Sequence, residues 1–239
     1  MLITATQLHD GHRFLPFGSA IEVGDEGEII ALHPVAPGEA THYDGIVCPG
    51  FVNAHCHLEL SHMEGVLPQG TGLIDFLKEV PQQRFLFNEE QRKAARLEAF
   101  DRMLQAGIVA VGDIANTTDS LDLRAGGKMH FHTFIESLGF VADRAEAAMA
   151  QSEETWKAFA AQQAAGCRLH QSITPHAPYS VSEPLFRLID LHQPSSLLSI
   201  HNGESLAEDQ WYQLRIGDVA RLLSARLSPL KLDRSEEGW

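Results

Sequence analysis

His55 and His57 stand one residue apart at the end of the apolar run Phe51-Val52-Asn53-Ala54. Side chains at positions i and i+2 of a β-strand share a face, so two imidazoles at this spacing can converge on one metal ion. With thirteen histidines in the chain the spacing alone is weak, because His-x-His arises by chance. Its context strengthens it. A second short apolar run, Leu197-Leu198-Ser199-Ile200, ends in His201, and Glu204 follows three residues later. Together His55, His57 and His201 would make a three-histidine site with one position left for water, the arrangement of a catalytic rather than a closed structural zinc. Glu204 then has a task as general acid–base: a carboxylate close to the ion but outside its ligand set takes a proton from an acidified water and passes it to a leaving group. On ligand type Zn²⁺, Fe²⁺, Co²⁺ and Ni²⁺ are all served by three histidines; Zn²⁺ is the first choice and Fe²⁺ the alternative.

The elements that must position these groups fall into two regions. Residues 1–47 alternate short apolar segments (Leu2-Ile3, Ala20–Val23, Glu28–Ala31) with glycines at 11, 24, 27 and 38, which predicts small strands and hairpins, the N-terminal segment of a β-sandwich. Over residues 48–239 the rhythm changes to strands alternating with helices, the pattern of βα units and a parallel sheet. Strands are expected at Phe51–His57, Ile108–Ile114, Met129–Glu136, Arg168–Thr174 and Leu197–His201. Between them come a short helix near Leu73–Val80, a helix capped by Asn88 with Gln91 three residues on and ending at Gly107, and a long helix from Asp143 to Gly166. A helix capped by Ser182 with Pro184 in its first turn follows, and a last one runs from Leu206 to about Leu223. Cys56 alternates away from the two histidines and reads as strand packing.

The string Pro49-Gly50-Phe51-Val52-Asn53-Ala54-His55-Cys56-His57-Leu58-Glu59, followed by Thr174-Pro175-His176 and His201-Asn202-Gly203-Glu204, resembles the amidohydrolase superfamily of metal-dependent hydrolases. The resemblance spans roughly residues 1–217, and its nearest branch is the cytosine deaminase, adenosine deaminase-like and chlorohydrolase group. It implies a (β/α)₈ TIM barrel with the active site at the C-terminal ends of the strands. On that footing the chain is α/β, a partial barrel of about five βα units after the small β-sandwich segment. Polar groups recur at those strand ends: Asp113 and Asn116, Glu136, and His176. His176 is the best candidate to contact substrate, with Glu136 and Glu59 as further substrate-facing candidates; Asp113 and Asn116 read as turn-forming or capping residues, and His62 as a surface residue. The implied reaction is hydrolytic deamination of an N-heterocyclic or nucleoside-like amine. His57-Leu58-Glu59-Leu60-Ser61 and Gly70-Thr71-Gly72-Leu73-Ile74-Asp75-Phe76 are similar to deaminases acting on aminodeoxyfutalosine; a chlorohydrolase, guanine deaminase or imidazolonepropionase would use the same visible residues.

Composition bounds the partners. The chain of 239 residues is 44% hydrophobic and 21% charged, enough to bury a substantial core, and no long uncharged apolar run or leader pattern stands out. A cytoplasmic enzyme with a small-molecule substrate is the expectation, and three cysteines, Cys48, Cys56 and Cys167, suit a reducing compartment. A formal charge of −14 disfavours nucleic acid and anionic membrane surfaces; the oligomeric state is open. In the resembling family a further histidine on the sixth strand and a metal-binding aspartate on the eighth complete the site. No residue here takes those two roles, the tail Leu227–Trp239 does not read as a sixth strand, and the stretch from residue 46 is shorter than the ~250 residues of a whole barrel. The sequence therefore reads as an N-terminal fragment. Its alternative fate is a metal-binding chain with negligible turnover, whose exposed strand edge relies on a partner or aggregates.

Overall fold

The computed structural model describes the backbone of residues 1–233 and the side chains of residues 1–225. The chain divides into two compact units, Met1–Phe51 and Val52–Trp239.

The first unit is a single four-stranded sheet in the order β3-β2-β1-β4, made of β1 (Leu2–Leu8), β2 (Ala20–Val23), β3 (Ile29–His33) and β4 (Thr41–Val47). The hairpin pairings are antiparallel, as the glycine-punctuated sequence predicts, whereas β4 returns to lie parallel to β1.

The second unit holds the candidate chemistry. Four strands lie in the order β5-β6-β7-β8, namely β5 (Phe51–Cys56), β6 (Ile108–Ala115), β7 (His130–Ser137) and β8 (Leu169–Pro175), with β6, β7 and β8 parallel. Sequence order equals spatial order, the arrangement that βα units produce when each helix returns the chain to the next position of a barrel wall. The helices are α1 (Leu73–Gln83), α2 (Glu89–Gln105), α3 (Leu121–Ala125), α4 (Ala145–Ala160), α5 (Glu183–His192), α6 (Leu206–Leu214) and α7 (Asp218–Asp233). Helix α2 begins with the expected reciprocal cap, Asn88 Oδ1 accepting from Gln91 N while Gln91 Oε1 accepts from Asn88 N. Odd-numbered residues of β6–β8 face the helices: Val111 and Phe131 pack with Phe100 and Leu58, and Ala115, Ile135 and Ile173 pack with Met149, Phe159 and Leu185. Gly112 is required where β6 passes β5, because a Cβ there would lie 2.2 Å from the Ala54 carbonyl oxygen.

Three expectations are corrected in detail. The fifth strand, Leu197–His201, forms no ladder. The segment instead lies beside β8 on side-chain bonds: Ser172 Oγ donates to Leu197 O at 2.7 Å, Ser199 N donates to Thr174 Oγ1 at 2.8 Å, and that hydroxyl in turn meets Ser199 O. The two hydroxyls take up backbone groups that a neighbouring strand would otherwise use, and only His201 N reaches a backbone acceptor on that side, His176 O at 2.8 Å. The last expected helix is broken in two, because Arg215 turns left-handed at φ 59° and Gly217 follows at φ 90°. His62 is buried, not superficial: the short 3₁₀ segment Leu58–Met63 turns its ring inward, where Nε2 donates to Arg84 O at 3.0 Å. Of the tail, the stretch up to Asp233 continues α7, and residues 234–239 lie outside the described residues. Among the described residues no helix is long and apolar enough to cross a membrane.

Candidate metal centre and active site

The end of β5 and the segment after residue 197 bring three histidines together. His55, His57 and His201 each offer a ligand nitrogen within 4.8 Å of the others, and their ring centroids are 4.8–5.4 Å apart. A shared ion with ~2.0–2.1 Å bonds would hold its ligand nitrogens roughly 3–4 Å apart. Their chemistry fits one. Burial pulls His57 down to about 4, against the pull of Glu136, and burial also lowers His55, so both imidazoles are neutral at pH 7 with a lone pair available. His201 differs: its hydrogen bond to Glu136 raises its pKa, favouring the protonated form over the neutral form that binds metal. Ser199 Oγ, 3.2 Å from His55 Nδ1, fixes the first ring.

Carboxylates flank His201 on both sides. Glu136 Oε1 is 3.2 Å from its Nε2, and Glu204 Oε1 is 3.0 Å from its Nδ1. Glu136, at the C-terminal end of β7, is buried; burial alone would raise its carboxyl, but the bonds from His201 and Asn116 and the nearby His176 hold it down to about 2. Asn116 Nδ2 donates to Glu136 Oε2 at 2.9 Å. His176 follows β8, with Ser180 Oγ 2.6 Å from its Nδ1. A cavity of about 910 Å³ opens above these groups. His57, Asn116, Glu136, His176, His201 and Glu204 are among its polar lining, as are Glu64, Arg84 and Arg102, and Phe76, Leu77, Val80, Phe140, Tyr179 and Leu222 are among its apolar walls. That is the upper range for small-molecule sites.

Glu59 is brought to a different place. It does not line the cavity; it is 2% exposed, and both its oxygens are engaged. Oε1 takes Arg84 Nη2 at 3.1 Å, while Oε2 takes Asn116 N, Thr117 N and Thr117 Oγ1 at 2.8–3.0 Å. The residue thus ties the turn after His57 to the loop after β6 and to the end of α1. Asp113 is likewise internal: its Oδ1 accepts from Leu58 N at 3.1 Å, and burial raises its carboxyl to about 7. Cys56 is packed beside the Val111 and Phe100 cluster, and burial raises its thiol pKa, so it stays protonated.

One residue that sequence reasoning missed is Glu208. It is fully buried in the first turn of α6, where its carboxylate accepts from Glu204 N at 2.6 Å and Gly203 N at 3.3 Å. The signal was present, since an acid in the first turn of an expected helix bonds the amides that precede it.

Comparison with known proteins identifies the family and the fold. A sequence model of the amidohydrolase family matches residues 46–228. An adenosine deaminase of Helicobacter pylori is 28% identical over 200 residues, 81% of this chain and 46% of the relative. Among solved structures, the aminofutalosine deaminase of Helicobacter pylori in complex with methylthio-coformycin superposes with a TM-score of 0.73 at 22% identity, covering 90% of this chain and 54% of that one. An adenosine deaminase of Xanthomonas campestris with bound zinc gives 0.61 at 20% identity, covering 95% and 55%. The chain spans about half the length of the relatives it matches. Its partial barrel, with histidines and carboxylates gathered at one end of a parallel sheet, and the match over most of its length make this chain a member of the amidohydrolase family.

Proposed function

We propose that the chain carries the metal-holding and proton-handling wall of a hydrolase that removes an exocyclic amine from an N-heterocyclic or nucleoside-like substrate, with aminodeoxyfutalosine the leading candidate. The observation that carries this reading is the convergence of His55, His57 and His201 with Glu204 3.0 Å from His201 Nδ1. A divalent ion held by the three histidines, Zn²⁺ first among the candidates, would acidify water to a pKa near 7 and so supply a nucleophile at neutral pH.

The chain's own groups do the rest. Glu204, half-exposed at the cavity, takes the released proton on its carboxylate and hands it to the amine nitrogen, so that neutral ammonia departs. Glu208 fixes the backbone beneath it. His176, oriented by Ser180, is placed in the cavity wall to meet a ring nitrogen of the substrate, and Glu136, braced by Asn116, fixes His201 and presents a negative edge to ring N–H groups. The apolar walls exclude water from the ring and accept its flat faces. Glu59 acts as a support and not as a substrate contact in this scheme.

A second reading is metal binding without turnover by residues 1–239. One assay separates the two: ammonia release from aminodeoxyfutalosine, adenosine and cytosine by the zinc-loaded protein, beside Glu204→Gln. Deamination by this chain requires ammonia from at least one substrate, falling about 10²–10⁴-fold in the variant while zinc is retained. Zinc bound through the three histidines with no ammonia gives the second reading. A chain that binds no zinc overturns both.

A further inference from the structure

His201 belongs to two overlapping sets of ligand-type side chains. One is His55, His57 and His201; the other is Glu136, His176 and His201, and in each the offered atoms lie within 4.8 Å of one another. His201 sits between them, with ring centroids 4.8 Å from His55, 5.4 Å from His57 and 5.2 Å from His176. A neutral imidazole offers a single lone pair, so both sets cannot be filled at once without stripping His201 to an imidazolate.

We propose that Glu136, His176 and His201 form a second seat for a divalent cation, occupied in alternation with the three-histidine seat, His201 being the ligand common to both. This rests on the reading that His55, His57 and His201 hold an ion, and adds to it where the ion goes when it is not there.

The second seat is built. Glu136 is a carboxylate with a side chain only 4% exposed, its Oε2 held by Asn116 Nδ2 at 2.9 Å and its Oε1 already 3.2 Å from His201 Nε2. His176 is fixed at Nδ1 by Ser180 Oγ and through its carbonyl by His201 N, so the two histidine backbones are tied at 2.8 Å. Its donor set of one carboxylate oxygen and two imidazole nitrogens is an ordinary one for Zn²⁺ or Co²⁺. Charge favours it as well, because Glu136 would put a buried negative charge directly on the dication, whereas the ligands of the three-histidine seat are neutral. All three ligands line the cavity, so the second seat is open to it.

Two measurements on the intact chain test this. In equilibrium dialysis against Zn²⁺, the His55→Ala/His57→Ala double variant should still bind one ion, at least about tenfold more weakly than the unaltered chain, and Glu136→Gln or His176→Ala added to it should weaken binding by a further tenfold or more. The ¹¹³Cd NMR spectrum of the unaltered chain at substoichiometric cadmium should show two resonances or one exchange-broadened line, reduced to a single sharp line by Glu136→Gln. If the double variant binds no zinc while the unaltered chain does, and its cadmium line is single and sharp with or without Glu136→Gln, the second seat is wrong and the three-histidine seat stands. If the double variant binds as tightly as the unaltered chain, and Glu136→Gln removes that binding, the second seat stands and the three-histidine reading fails.

Discussion

The two sides of the candidate metal centre are positioned by different physics. On one side, His55 and His57 belong to the end of β5, where the two-residue period of a strand sets their spacing and Gly112 lets β6 pack against the Ala54 carbonyl. On the other, His201 rides on a segment with no ladder, placed by the hydroxyls of Ser172 and Thr174 and followed by a turn that Glu208 holds from inside α6. Backbone geometry therefore fixes two of the proposed ligands, and side-chain chemistry fixes the third together with Glu204, the proposed proton carrier. A site divided in this way has a firm half and an adjustable half, and the adjustable half carries the residue that both ion seats share.

The largest effect is expected beneath the firm half. Glu59→Ala leaves the Arg84 guanidinium and the Asn116 and Thr117 amides without their buried partner, and breaking a buried pair in this way costs about 3–5 kcal/mol, read as a lower urea midpoint. Glu59→Gln, which keeps the shape but not the charge, should recover only part of that loss. An effect under about 1 kcal/mol for Glu59→Ala would mean that the turn after His57 is held by the strand alone.

Asp113, under the same turn, gives a pH signature. Its folded-state carboxyl is raised from 3.8 to about 7 by burial, so the folded chain keeps a proton that the unfolded chain gives up. Stability should accordingly fall as pH rises from about 4 to 7, by an amount on the order of 4 kcal/mol for this group. His57 opposes it, since a histidine whose folded pKa is lowered to about 4 makes stability rise between about 4 and 6.5. The clean observable is the difference between the unaltered chain and Asp113→Asn, which keeps an acceptor for Leu58 N: the variant's advantage should grow steadily from pH 4 to pH 7 and then level off. A constant difference over that range would place the Asp113 carboxyl near its ordinary value.

Smaller effects belong to the adjustable half. Glu208→Ala strands the Gly203 and Glu204 amides at a cost of about 1–3 kcal/mol, and should weaken zinc binding about 10–100-fold by loosening the turn behind His201. Thr174→Val, nearly equal in shape, removes the hydroxyl that meets Ser199 and should cost about 1 kcal/mol. If Thr174→Val weakened zinc binding more than Glu208→Ala did, the segment beside β8 rather than the turn at Gly203 would be what sets His201.

This division explains what was legible in the sequence. The His55-x-His57 pair, the βα alternation and the Asn88–Gln91 cap follow from backbone periods and short-range hydrogen bonds, which spacing records directly. The His201–Glu204 pair was legible as a motif, but the strand expected beneath it was not formed, because Ser172 and Thr174, twenty-five residues away, take up its backbone groups. Glu59 read as a substrate-facing acid since its position just past His57 is near the site; its inward turn depends on Arg84 and on the loop after β6, partners that no local pattern names. His62 was misjudged for the same reason, its acceptor being the Arg84 carbonyl.

The most direct test of the account is zinc stoichiometry and affinity by equilibrium dialysis with elemental analysis, comparing the unaltered chain with His57→Ala, His201→Ala and Glu204→Gln. One tightly bound Zn²⁺ per unaltered chain is expected, with affinity reduced about tenfold in His57→Ala, which leaves the second seat, more than about 100-fold in His201→Ala, which removes the ligand common to both, and near-unaltered in Glu204→Gln. An unaltered chain that binds no zinc, or a Glu204→Gln variant that loses it as completely as His201→Ala, would contradict the assignment of three histidine ligands with a carboxylate outside them.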